Sequence, residues 1–325
     1  METLPKLYIG PMSYNVVTSA LEFSRDEKKV IGFIPSRRQV DWNSGYVNNW
    51  TTKTFAEFVR NYNLPAVLCR DHGGPAQGAV MDDGLRSFRE DSQNFDIIHI
   101  DPWKQFPSYQ DGLNKTVECM LHIDSLNKNV KYEVGTEEAI RKFSTQELKT
   151  LLGDLRSGVG ERIYNKILYC VVQSGVALNL GEQKNTGKYD SKRLSEMVDV
   201  CKNFGVLSKE HNGDYLSSEQ IRDRFKVGLD AINIAPEFGQ IETMCYLDEL
   251  GPIDEYYNLC LESGHWRKWT SPEFEPDNNR EKLIKICGHY ILSDPSFTKL
   301  MPDLDKKIKF NIKDRIKKLY EGIEQ

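Results

Sequence analysis

Two residue pairs in this sequence combine a metal ligand with a proton carrier. Asp71-His72 follows the apolar run Val67-Leu68-Cys69, and Glu210-His211 follows Gly205-Val206-Leu207 after two intervening residues. Neutral imidazole is the commonest protein ligand for a metal, and a carboxyl group beside it can act as an acid. Gly73-Gly74-Pro75 comes next after the first pair and lets a ligand approach the backbone. His72 and His211 could share one divalent ion, with Glu133 or Gln173 as the third ligand. Zn²⁺ fits such a site with an open position. A third ligand other than histidine leaves Mn²⁺ or Mg²⁺ as alternatives. Asp71, Glu133 and Asp101 are the candidates for proton transfer. Arg37, Arg38, Arg70, Lys104 and Lys209 either pair with such carboxylates or hold a phosphate. His99 lies two residues before Asp101 and shares its face, and it also fits a core histidine. His122, His265 and His289 fall outside these runs and are read as structural. The sequence contains neither a P-loop nor a GxSxG elbow.

The elements that must position these groups follow from the pattern. Short apolar runs at residues 6–10, 30–35, 66–70, 97–101, 131–135, 167–173, 206–209 and 231–235 read as buried strands. Amphipathic stretches between them read as helices. Thr51 or Thr52 is placed to cap one helix, and Ser217-Ser218-Glu219-Gln220 resembles a capping box for another. Strict alternation of strand and helix requires right-handed crossovers and a parallel sheet. Eight such units favour a closed (β/α)8 TIM barrel. The first turn, Ile9-Gly10-Pro11-Met12-Ser13, is not the glycine-rich turn of a dinucleotide-binding sheet. Polar residues gathered where strands end mark the catalytic face of such a barrel, so the chain reads as an enzyme. The barrel is expected over residues 1–251, with a C-terminal helical extension over 252–325 packed on it.

Composition narrows the class further. The chain has 325 residues, 39% of them hydrophobic and 28% charged, with a net charge of −5. That balance excludes a basic nucleic-acid groove as the main function. No apolar run is long enough to span a membrane. The seven cysteines are widely spaced and form no CxxC pair, which is the pattern of reduced thiols. Met1-Glu2-Thr3-Leu4-Pro5 shows no leader pattern, so a cytoplasmic small-molecule enzyme is expected.

An ordered set of motifs carries a family resemblance. Gln39-Val40-Asp41 through Gly45-Tyr46, Arg70-Asp71-His72-Gly73-Gly74-Pro75 and Ile98-His99-Ile100-Asp101 open the set. Tyr132-Glu133-Val134-Gly135-Thr136-Glu137, Val171-Val172-Gln173-Ser174-Gly175-Val176 and Glu210-His211-Asn212-Gly213-Asp214-Tyr215 complete it. Together they resemble the D-tagatose-bisphosphate aldolase accessory-subunit (tagatose-6-phosphate 4-epimerase) family, a relative of the class II ketose-bisphosphate aldolases. The resemblance implies metal-dependent retro-aldol and aldol chemistry on a ketose phosphate, by an epimerase or a lyase. It also implies an alternative, a non-catalytic subunit that stabilises a separate aldolase. Asp71-His72 matches the acid and zinc-ligand pair of the aldolases, and Asn233-Ile234-Ala235-Pro236-Glu237 resembles one of their segments. Gln173 stands where those aldolases place a zinc histidine, and His211-Asn212-Gly213-Asp214 lacks their phosphate cradle. Substrate contacts are therefore expected from Arg37, Arg70 and Lys209 as phosphate holders, with Gln39, Asn233 and Glu237 added by the resemblance. The expected partner is a small sugar phosphate, with a homo-oligomer or an aldolase catalytic subunit as possible protein partners.

Overall fold

Successive strand–helix units curl until the last strand meets the first. The computed structural model describes residues 4–324. Met1, Glu2 and Thr3, part of the segment read for a leader, lie outside the described residues. The barrel strands are β1 (Leu7–Ile9), β2 (Ile31–Phe33), β3 (Ala66–Gly73), β4 (Ile97–Ile100), β5 (Lys131–Val134) and β6 (Ile167–Val172), then β9 (Leu207–Glu210) and β10 (Ala231–Ile234). They pair in the order β1-β10-β9-β6-β5-β4-β3-β2, and β2 returns to β1. Every barrel pairing is parallel. The (β/α)8 barrel expected from the sequence is thus present. A short antiparallel hairpin, β7 (Leu178–Asn179) with β8 (Lys184–Asn185), decorates the connection after β6. No sequence pattern announced it, because its strands are two residues long and carry no alternation.

The helices are α1 (Tyr14–Glu27), α2 (Thr52–Arg60), α3 (Leu85–Asn94), α4 (Tyr109–Leu126), α5 (Thr145–Tyr164), α6 (Ser191–Asn203), α7 (Ser218–Lys226) and α8 (Pro236–Leu250). Local chemistry sets their starts. Thr51 caps α2 and Ser217 caps α7, each in a reciprocal capping box, with Gln220 as the partner of Ser217. Helix α5 is broken within its length, where Gly160 sits at φ 74° and ψ 161°. Past residue 252 come α9 (Asp254–Ser263), a 3-10 turn (His265–Lys268), α10 (Arg280–Ile291), α11 (Pro295–Leu300) and α12 (Asp305–Ile323). Helix α10 packs on α8, and α12 packs on α1, α7 and α8. None of the helices is long and apolar enough to cross a membrane, among the described residues.

The two-residue period of the strands decides which side chains enter the barrel. Tyr8, Cys69, Ile97, Tyr169 and Ala231 fill its interior. Gly32 leaves room for Tyr8, since a Cβ there would come within 2.2 Å of the tyrosine ring. Continuing upward on the same parity, Asp71, His99, Glu133, Lys209, His211 and Asn233 reach the C-terminal mouth. Residues of the opposite parity meet the helices. Arg70 accordingly lies between β3 and α3, where it pairs with Asp91 at 2.7 Å and donates to the carbonyls of Pro35 and Val40. Glu210 likewise turns outward to Arg224 of α7.

Arg70 is fully buried, and its guanidinium neutralises an equally buried carboxylate. Removing one partner strands the other charge, which costs about 3–5 kcal/mol. We expect Arg70→Ala to lower the unfolding free energy by that amount in urea titration. Arg38→Ala, at an exposed neighbour, should change it by less than about 0.5 kcal/mol.

Candidate active site

A bulge makes adjacent residues of β3 face the same way. Arg70 pairs with Ile98 and Gly73 with Ile100, so β3 carries one more residue than β4 across this stretch. His72 takes up the difference at φ 45°, a left-handed conformation unusual for a side-chain-bearing residue. Asp71 already points into the mouth by parity, and the bulge turns His72 in beside it.

Three histidines meet there, with ring centroids 5.0 to 5.6 Å apart. Each has one nitrogen tied down. Nδ1 of His72 lies 2.6 Å from Oδ2 of Asp101, Nε2 of His211 lies 2.6 Å from Oε1 of Glu133, and Nε2 of His99 lies 3.1 Å from the Gly135 carbonyl. In a neutral ring, as metal binding requires, an oxygen on one nitrogen fixes the tautomer and leaves the other with a lone pair. Nε2 of His72 and Nδ1 of His211 are free in this sense. Nδ1 of His99 accepts from the His72 amide at 3.3 Å. Asp71 sits between the rings. Its Oδ1 is 3.5 Å from Nε2 of His72 and 3.7 Å from Nδ1 of both His99 and His211, yet it has no hydrogen-bond partner.

The carboxylates divide by depth. Glu133 is fully buried and salt-bridged to Lys209 at 2.7 Å. Burial alone would raise its pKa, but Lys209, His99 and His211 hold it well below the usual range. Asp101 is also fully buried and accepts from Thr136 as well as His72. Burial works against ionised Asp101 too, and the bond from His72 overcomes it. Asp71 faces the cleft. Burial opposes its charge, but His72, then His99 and His211, bring its pKa down to about 2. His72 responds in kind. Burial would lower it, and Asp71, Asp101 and Glu137 hold it well above the ordinary histidine value.

Some of the other residues expected in the site are elsewhere. Gln173 spends its amide on the Thr136 and Arg141 carbonyls and accepts from Phe143 N and Arg193, so the structure does not bring it to the histidines. Arg37 is locked between Asp41, Asp82 and the Gly74 carbonyl. Glu237 accepts from the Tyr215 amide and pairs with Arg315. Lys209 lies beneath Glu133, its ammonium 3.7 Å over the Tyr8 ring. Gln39 lines the cleft, and Asn233 stands at the mouth with Oδ1 unpartnered.

Glu137 and His289 are among the residues that enter without having been expected. Glu137 places Oε2 3.9 Å from Nε2 of His72 and accepts from Asn212. His289, read as structural, lines the cleft from α10. Glu137 follows the strand by three residues, a spacing that pointed to the mouth without singling it out.

Two groups of ligand atoms within 4.8 Å of one another share His211, namely His72–Glu137–His211 and Asp71–His99–His211. A third, His72–His99–Asp101, includes the pair already bonded to each other. Ligands of a tetrahedral ion with 2.0–2.1 Å bonds stand about 3.3 Å apart, so small side-chain movements would close either of the first two groups. Above them opens a cleft of about 450 Å³.

Comparison with solved structures places this geometry on a known scaffold. A probable tagatose 6-phosphate kinase from Sinorhizobium meliloti 1021 superposes with a TM-score of 0.77 at 14% identity, covering 98% of this chain and 100% of that one. Solved aldolases share the barrel fold. A fructose-bisphosphate aldolase from Campylobacter jejuni gives 0.59 at 12% identity, covering 98% and 89%. The YdjI aldolase from Escherichia coli K12 gives 0.56 at 11%, covering 91% and 90%. Comparison with family models finds no match, and comparison with curated proteins finds none. At these identities the likeness is one of fold.

The donor set makes a checkable statement about metal binding. After loading with Zn²⁺ and desalting, elemental analysis should find about one ion per chain, lost in His72→Ala and His211→Ala. Gln173→Ala should keep the ion.

Proposed function

We propose that this protein is a metal-dependent enzyme that breaks and re-forms a carbon–carbon bond in a ketose phosphate, as a sugar-phosphate epimerase or lyase. One observation carries the reading. A carboxylate oxygen without a partner, Oδ1 of Asp71, lies among imidazole nitrogens whose opposite edges are fixed. Buried polar atoms are rarely left unpaired, and an exception asks for a ligand. The aldolase fold supports the reading by analogy.

His72, His211 and Glu137 would hold the ion. His99 is the weaker candidate because its inner nitrogen already accepts the His72 amide. An ion at this place supplies Lewis-acid polarisation of the substrate carbonyl. The remaining work falls to the chain itself. Asp71 takes the proton of the C4 hydroxyl as the C3–C4 bond breaks, and the bonding electron pair passes to C3 and on to the C2 oxygen. Asp101 and Glu133 do not reach the cleft. They hold the imidazoles of His72 and His211, and Lys209 keeps Glu133 charged. If the aldehyde turns over and the bond re-forms on its other face, Asp71 returns the proton and C4 is inverted. If the aldehyde leaves, the outcome is cleavage.

Turnover tests this directly. The zinc-loaded protein would be incubated with ketose 6-phosphates and ketose 1,6-bisphosphates, and products followed by carbon NMR. Epimer or triose formation that stops with chelator is expected. Asp71→Asn should lower kcat by about 10²–10⁴-fold, the range for loss of a general base, while keeping the ion. No turnover of any of these substrates by the zinc-loaded protein would overturn the reading.

A further inference from the structure

The cations expected to hold a phosphate are committed elsewhere. Arg37 and Arg70 are buried in ion pairs with aspartates, and Lys209 is bound to Glu133. Three other cations line the cleft instead: Arg38 from the β2–α2 connection, Lys104 from the β4–α4 connection, and Lys268 from the extension. Among the described residues none of the three forms an ion pair. Neighbouring surface charges behave differently, since Lys142 and Arg193 both bind Glu138.

Lys268 is held in place by an aromatic wall. Its ammonium stands 4.5 Å over the Trp269 ring and 5.4 Å over Tyr290. Trp269 Nε1 donates to the Tyr290 hydroxyl at 3.1 Å, and the Tyr290 ring lies against His265 and His289. Lys268 remains exposed to the cleft, and loss of water on its wall side, then the charges of Arg38 and Lys104, push its pKa down to about 8. Like charges gathered around one cleft raise the energy of the free protein, and an anion between them relieves it. Two further groups on the cleft are short of partners. Nδ1 of His289 and Nε1 of Trp103 are buried with no hydrogen bond. Burial, then Lys268 and His265, hold the His289 pKa near 3, so its ring is neutral and keeps one donor and one acceptor.

We propose that Arg38, Lys104 and Lys268 form the seat of a terminal phosphate monoester on the substrate, so that the C-terminal extension supplies part of the active site. The assignment rests on the reading of the site as one for a ketose phosphate and adds where its phosphate binds. Three unpaired cations suit a phosphoryl group, which carries about −1.5 to −2 charge and three acceptor oxygens. A carboxylate would be matched by one arginine fork. The seat and the histidine group share one cleft, so a ketose bound with its phosphate here can set its C4 hydroxyl against Asp71 and its carbonyl beside His72.

The seat can be tested without turnover. Inorganic phosphate would be titrated into the full chain after chelation, and binding read by phosphorus NMR, with acetate as the competing probe. Saturable phosphate binding that acetate does not displace is expected. Lys268→Met keeps a straight side chain over the aromatic wall and removes the charge. It should weaken phosphate binding by about tenfold, the loss of one charge-assisted bond. Arg38→Met and Lys104→Met should act similarly, and Lys142→Met should not. No binding, binding unchanged in all three variants, or acetate binding as tightly as phosphate would each overturn the seat. Charge-dependent phosphate binding by a protein that turns over no ketose phosphate would leave the seat standing and remove the catalytic reading.

Discussion

A carboxylate cut off from water lies near the axis of this barrel, and its neighbours are arranged around the need to keep it charged. Glu133 has an ammonium on one oxygen and an imidazole on the other. An isolated buried carboxylate would take up a proton, because the cost of burying an unpaired charge is many kcal/mol. Lys209 prevents that, and Lys209 is itself held over Tyr8 and Tyr169 in the barrel interior. Gly32 has to be small for Tyr8 to lie there. A chain of contacts thus runs from the packed floor of the barrel to the orientation of the His211 ring.

The second chain is built the same way on the adjacent strands β3 and β4. Asp101 accepts from Thr136 and from His72, and the β3 bulge supplies the backbone turn that brings His72 within reach. Two buried carboxylates therefore act through imidazoles, and the carboxylate between them, Asp71, is the one left to face the cleft. Pre-orienting groups in this manner removes the need to reorganise them when a substrate binds. The extension lines the same cleft with an aromatic wall and a lysine, so the histidine cluster and the candidate anion seat come from distant parts of the chain.

Much of the barrel could be read from the pattern of residues. Short apolar runs alternating with capped amphipathic stretches have few other solutions than a parallel sheet closed by helices. The mouth residues Asp71, His72, Glu133 and His211 were visible because each stands where a run ends. Arg70 shows the limit of that rule. It also stands at such an end, but the alternation of side chains sends it to the helix layer, where Asp91 takes it. Gln173 has the right parity and still turns away, because nearby carbonyls and Arg193 saturate its amide. Those partners are 20 to 37 residues distant in sequence, so no local pattern could announce them.

By itself the sequence determined the strand–helix alternation, the helix caps and the collection of acids and histidines at one end of the sheet, since these follow from local periodicity and residue chemistry. Tertiary structure alone decided which polar groups are spent on one another and which remain free. Whether a histidine nitrogen or an arginine is available depends on what closes against it, and here those partners arrive from other strands, other connections and the extension. Glu137 and Lys268 became candidates for function only when the fold had brought them to the cleft.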